Sequence, residues 1–262
     1  MIDFHGKTVW ITGASSGIGK ALAIKLSSLG ANLVLSSRKE DQLHKVANLC
    51  NSECFILKLD LEKNNDFQEK VAEVLSKFKT IDLLINNGGI SQRSIASETQ
   101  IEVDRKIMEI NYFGTIALTK SVLPIMQDQK SGHIVTVSSS SGKFGFFLRS
   151  SYSASKFAQV GFFESLRLEE EKNNIKVSLV FPFLVKTNIS LNAVSYNGDV
   201  LNKKDPLIEN GISPEQCAQD IIDGIMDNKK EIYSGGKGSW IIHLKRFFPE
   251  IFFKIMRKQQ PR

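Results

Sequence analysis

Short apolar runs alternate along the chain with stretches in which apolar side chains return at every third or fourth position. The runs Thr8–Thr12, Asn32–Ser36, Cys54–Leu59, Ile81–Ile85, His133–Val137, Lys176–Phe181 and Glu231–Tyr233 predict strands. The stretches Ile18–Leu29, Lys39–Cys50, Asp66–Phe78, Ile101–Met126, Tyr152–Lys172 and Pro214–Asn228 predict helices. Gly30 stands in a C-cap position, and Pro124 predicts a bend in the longest helix. Strands that are apolar throughout, each separated from the next by a helix, predict a seven-stranded parallel sheet with helices on both faces. No linker-like composition shift or fixed-period repeat breaks the order, so residues 1–236 read as one doubly wound α/β domain. In such sheets ligands bind beyond the carboxyl ends of the strands.

The turn after the first strand, Thr12-Gly13-Ala14-Ser15-Ser16-Gly17-Ile18-Gly19, opens the first helix. Glycines there permit a tight turn and close backbone approach, and the helix start offers unpaired N–H groups to a pyrophosphate. The context makes the domain Rossmann-type and a dinucleotide the expected ligand. At the end of the second strand an acid would accept from a ribose 2′-OH and repel a 2′-phosphate. The chain has Ser36-Ser37-Arg38-Lys39 instead, which favours NADP(H) over NAD(H), with Arg38 as phosphate ligand and Ser37 as donor. The competing reading makes Arg38 and Lys39 solvated residues at a helix start.

Tyr152 and Lys156 stand four residues apart, on one face of a predicted helix, with Ser139 thirteen positions before the tyrosine. A fixed ammonium beside a phenol favours the phenolate and lowers a pKa of about 10, which would make Tyr152 a usable acid/base. In the run Ser138-Ser139-Ser140-Ser141, Ser139 is the expected partner, with Ser138 as competitor.

Taken together, the glycine loop, Asp60, Asn86-Asn87-Gly88-Gly89, Asn111, Ser139, Tyr152 and Lys156 make the chain resemble a short-chain dehydrogenase/reductase up to about residue 236. Asn86 to Ser94 and Lys245-Arg246-Phe247-Phe248-Pro249 are most similar to the branch of dehydrogenase/reductase SDR family member seven and its bacterial relatives. The resemblance implies an oxidoreductase that interconverts a carbonyl and an alcohol by hydride transfer. In it Tyr152 moves the proton, Ser139 donates to the same oxygen, and Lys156 holds the nicotinamide ribose. It implies a water held by Asn111 that links Lys156 to solvent. It also implies cofactor contacts from Gly13, Ser15, Ser16, Gly17, Ile18 and Gly19 of the glycine loop, from Asp60 at the adenine ring, from Asn87 on the adenosine ribose side, from Leu61 and Gly88 beside them, and from Thr187 at the carboxamide. The chain departs from the family at Gly88, where alanine is usual, and at Phe183, where glycine is usual and a side chain resists positive φ. A homodimer or homotetramer is expected. Two further readings are a 3-oxoacyl carrier-protein reductase-like enzyme and a non-catalytic NADP(H)-binding regulatory protein.

Composition changes this picture in one place. The 262 residues are 42% hydrophobic and 24% charged, as in an ordinary soluble globule, and Cys50, Cys54 and Cys217 have neither disulfide-framework nor metal-ligand spacing. No secretory signal and no membrane span is read, so a cytoplasmic location is expected. Residues 237–262 hold seven basic residues against Glu250, which equals the whole net charge of +6. The rest of the chain is neutral, so no nucleic-acid surface is expected. This extension sets Ile241, Leu244, Phe248, Ile251, Phe252 and Ile255 among cations at helical spacing. That pattern suits a peripheral membrane contact, or packing over the substrate mouth or a subunit interface. Phe144, Phe146, Phe147, Leu148 and Phe183 predict an apolar pocket for a lipophilic carbonyl or alcohol, while Arg93 and Arg149 could equally recognise an anion.

Overall fold

Every side chain of the first strand is buried, which puts that strand in the middle of the sheet. In the computed structural model, which describes residues 3–63, 65–236 and 240–259, β1 (Thr8–Thr12) lies between β2 (Asn32–Ser37) and β4 (Leu83–Asn86). With β3 (Cys54–Lys58), β5 (Gly132–Val137), β6 (Ile175–Pro182) and β7 (Glu231–Ser234) they form a seven-stranded parallel sheet of order β3-β2-β1-β4-β5-β6-β7. Because the chain winds outward from β1 to β3 and then returns to β4, a crevice opens where the order reverses.

The alternation within a strand divides the core. Val9 and Ile11 face one apolar cluster with α1 (Gly17–Ser28), α2 (Glu40–Ala47) and α8 (Pro214–Met226). Trp10 faces the other with α3 (Phe67–Phe78), α5 (Gly114–Gln129) and α6 (Ser150–Glu170). Helix α3 shows the pattern at work: Phe67, Val71 and Val74 recur at helical spacing and are its buried residues. Helix α8 begins where Ser213 accepts from the Gln216 N–H at 3.1 Å and Pro214 needs no donor.

The long helix expected over Ile101–Met126 divides in two. Helix α4 (Ile101–Met108) runs into a π-helical turn at Glu109–Phe113 before α5 resumes. Pro124 lies inside α5, so the irregularity sits at Asn111 rather than at the proline. Such turns release backbone groups from the regular ladder and recur at functional sites. A short α7 (Pro206–Glu209), capped by Asp205, interrupts the long segment after β6.

The extension forms α9 (Ile241–Phe247) and α10 (Pro249–Arg257), while Lys237 and Arg262 of its charge run, and the boundary at 237, lie outside the described residues. Its inner face joins the second cluster through Ile242, Phe252 and Met256, with Phe252 against Phe144 at 5.0 Å. Its outer face exposes Trp240, Phe247, Phe248, Ile251 and Phe253.

Candidate active site

The glycine loop is held in place from the next strand across the crevice. Thr12 Oγ1 accepts from the main-chain N–H groups of Asn87 (3.0 Å) and Gly88 (2.9 Å), and Asn87 Nδ2 donates to Thr12 O (3.0 Å) and Gly13 O (3.3 Å). Gly13 and Gly17 have φ of +65° and +54°, and a methyl group on Gly19 would stand 2.4 Å from Gly13 O. Glycine is therefore required for the loop to pack this closely on itself and on the turn after β4. Ser16 leads into α1 without a side-chain cap, so first-turn N–H groups remain available to an anion, and Thr187 lies over Gly17. These features fit a dinucleotide. Ser37 and exposed Arg38 close β2 beside the loop, where Ala14 N donates to Ser36 O at 3.1 Å. Asp60 and Leu61 follow the adjacent β3, and Leu61 packs where a methyl group on Gly88 would stand 2.8 Å from it.

Ser139, Tyr152 and Lys156 converge on one open cleft that also reaches Ile18, Asn87 and Thr187. The Ser139 hydroxyl accepts from Ser141 N at 3.1 Å and pulls the pKa of the neighbouring Tyr152 phenol down. Its competitor Ser138 turns away, donating to Lys156 O at 3.2 Å. Lys156 is buried, and its Nζ donates to Val137 O at 2.9 Å and Gln159 Oε1 at 3.2 Å. Asn111 accepts from Ile90 N at 2.8 Å and donates to Ile90 O at 2.9 Å and Ser155 Oγ at 3.0 Å. It thereby locks the turn after β4 to α6.

The electrostatics depart from the expectation that Lys156 lowers the phenol. Burial pushes Tyr152 up, with the Ser139 hydrogen bond and Arg149 pulling it back. The nearby Lys156 is itself buried. Its Nζ lies 5.8 Å from the tyrosine ring centroid and is spent on a carbonyl and an amide, and burial alone brings its own pKa down to about 7.

Three other expectations change. Phe183 has no positive φ, because Gly235 at φ +136° opposite it supplies the room a glycine would have given. Phe144 lies in the core, so the apolar wall of the cleft comes from Phe146, Phe183, Leu184, Ile189 and Leu207. Arg93 and Arg149 both turn to one buried carboxylate, Asp205, at 3.6 and 2.8 Å. Burial raises Asp205, but the Arg149 hydrogen bond, the Leu207 N–H and the charges of Arg149 and Arg93 together outweigh it and hold the carboxyl below its usual range. This clamp ties the segment before α7 to the cleft.

Sequence reasoning passed over Thr12, Asp205 and Gln159. Gln159 stands seven residues from Tyr152 and three from Lys156, a spacing that signals one helix face.

A family model described as short chain dehydrogenase matches residues 7–196. A relative from Anopheles gambiae named dehydrogenase/reductase SDR family protein 7-like is 42% identical, the match covering 97% of this chain and 83% of the relative. Dehydrogenase/reductase SDR family member 7B of Mus musculus is 40% identical over 95% of this chain and 79% of its own. Among solved structures, a short-chain dehydrogenase/reductase from Burkholderia phymatum in complex with NAD matches with a TM-score of 0.84 at 24% identity, covering 96% of both chains. A metagenomic short-chain oxidoreductase in complex with NADP matches with a TM-score of 0.73 at 25% identity, over 89% of this chain and 99% of its own.

A lysine titrating near 7 in the fold and near 10.5 unfolded costs stability at neutral pH, and less as the unfolded state also sheds its proton. Lys156→Met should therefore be the more stable protein at pH 7 in urea unfolding. The gap should narrow by about 2 kcal/mol between pH 7 and 9. A gap independent of pH would contradict the burial reading.

Proposed function

We infer the activity from a premise the comparisons supply: the chain belongs to the short chain dehydrogenase family and is an NAD(P)-dependent oxidoreductase. The reading best supported is interconversion of a carbonyl and a secondary or primary alcohol, with Tyr152 as acid/base. The observation that carries it is the convergence of Ser139, Tyr152 and Lys156 on the cleft that the glycine loop borders. The bound nicotinamide supplies or accepts the hydride. Tyr152 gives its phenolic proton to the developing alkoxide in reduction and takes it back in oxidation. Ser139 donates to the same oxygen, where charge appears in the transition state. Lys156 would hold the nicotinamide ribose hydroxyls, and Thr187 would hold the carboxamide.

NADP(H) is the proposed cofactor, supported by Arg38 exposed at the end of β2 and the hydroxyl of Ser37 where an acid would stand. Relatives do not decide this, since one solved neighbour holds NAD and the other NADP. A lipophilic substrate is supported by the Phe146, Phe183, Leu184, Ile189 and Leu207 wall. With wild type, NADPH absorbance should fall against a panel of lipophilic ketones and aldehydes, and NADPH should bind more tightly than NADH. Tyr152→Phe should keep NADPH affinity within about threefold and lose 10³-fold or more in turnover, roughly. An equally active variant would refute the role of Tyr152.

A homodimer or homotetramer belongs to the same reading, supported by the exposed aromatic rings of Phe113 and Phe157; a monomer in sedimentation at micromolar concentration would remove it. So does a peripheral contact with an anionic bilayer at a cytoplasmic membrane face. Among the described residues no helix is long and apolar enough to cross a membrane. Helices α9 and α10 nonetheless expose Phe247, Phe248 and Ile251 beside Arg246, Lys254 and Lys258. Truncation would strip Ile242, Phe252 and Met256 from the core, so the outer face is the part to change. Wild type should co-sediment with phosphatidylserine vesicles, and a Phe247→Ser, Phe248→Ser, Ile251→Ser variant should lose at least about tenfold in partitioning. Equal partitioning would remove the membrane contact.

A further inference from the structure

The side chain of Gln159 lies between two groups that the fold has left available. It is buried at 1% exposure. Its Oε1 accepts from Lys156 Nζ at 3.2 Å, and its Nε2 donates to the main-chain carbonyl of Asn111 at 2.6 Å. The amide orientation is fixed by these partners, because an ammonium can only donate and a carbonyl can only accept. Asn111 belongs to the π-helical turn, where the regular helical ladder is interrupted. The side chain thereby bridges the lysine and this turn directly.

We propose that Gln159 is a positioning residue that fixes Lys156 against the Asn111 carbonyl, so that α6 itself ties the lysine to the π-helical turn. The proposal rests on the oxidoreductase reading above. Three features of the surroundings give the bridge its leverage. Among the described residues Lys156 Nζ has two acceptors, Val137 O at the end of β5 and Gln159 Oε1. A methyl group on Gly89, from the loop after β4, would stand 4.0 Å from Nζ and 2.9 Å from Asn111 Oδ1, and neither residue ionises. Tyr152 is the titratable neighbour, with Arg149 acting on it. Burial is the cause of the Lys156 shift, so an acceptor such as Oε1 is a principal support for the charged form.

Three variants separate positioning from packing. Gln159→Leu is nearly the same size and removes both hydrogen bonds. Gln159→Ala leaves a space of about one water, ~30 Å³. Gln159→Glu offers Lys156 a carboxylate. If Gln159 only filled space, Ala would be the worst of the three. Under the proposal Leu is worst: kcat falls about 30-fold or more with KM within about threefold, while water partly restores the bridge in Ala. Titration of the Lys156 amine by ¹⁵N NMR, which needs no substrate, should show its midpoint lowered in Gln159→Leu and raised by about 1 unit in Gln159→Glu. The kcat–pH profile should move in the same directions. Unchanged Lys156 midpoints in both variants, or Ala more impaired than Leu, would overturn the proposal. Tyr152→Phe in the same assay keeps the two readings apart: if it stays active the acid/base role of Tyr152 fails, whereas an inactive Tyr152→Phe beside an unimpaired Gln159→Leu sinks the Gln159 role alone.

Discussion

Burying one ammonium group, that of Lys156, is the constraint around which this site is organised. A charge removed from water needs acceptors, and the fold supplies them from separate parts of the chain: the last carbonyl of β5, and an amide three residues along α6 that is anchored on the π-helical turn. Small residues let these parts meet. A methyl group on Gly89 would press on Asn111 Oδ1 at 2.9 Å, and one on Gly142 would stand 2.6 Å from Ser138 Oγ. The regular sheet thus sets where the strand ends lie, and the irregular turn at Glu109–Phe113 sets what faces them.

The cofactor side follows a different logic, built from backbone rather than charge. Thr12 and Asn87 join the ends of β1 and β4 through four hydrogen bonds, at the point where strand order reverses. Asn87 therefore acts first on the loop, and on any ligand through it. The two halves of the site meet in a single cleft, with Thr187 and the Asp205 clamp closing it from the segment after β6. That segment is neither sheet nor long helix, and its order depends on Arg93 and Arg149 reaching across to one carboxylate.

Much of this was legible in the chain. Continuous apolar runs specify strands buried on both faces, and the glycine loop, Ser139, Tyr152 and Lys156 sit where such a sheet presents its ends. What was hidden depends on distance or on a change of one residue in period. The π-helical turn leaves the apolar pattern of Ile101–Met126 looking like a single helix. The pairing of Arg149 with Asp205 joins positions 56 apart, which no local pattern encodes. Phe183 looked like a misfit because the glycine that makes room for it, Gly235, belongs to the end of another strand. The direction of the Tyr152 shift could not be read from its spacing to Lys156, because burial of the phenol, absent from any spacing argument, is the larger effect.

The most direct test of the account is to follow the hydrogen itself. With NADPH deuterated at both C4 positions and a lipophilic ketone that the enzyme reduces, mass spectrometry of the alcohol reads where its new hydrogens come from. The account predicts one deuterium on the carbinol carbon, with the hydroxyl proton drawn from solvent. An alcohol carrying no deuterium, formed while NADPH is consumed, would contradict direct transfer within this cleft.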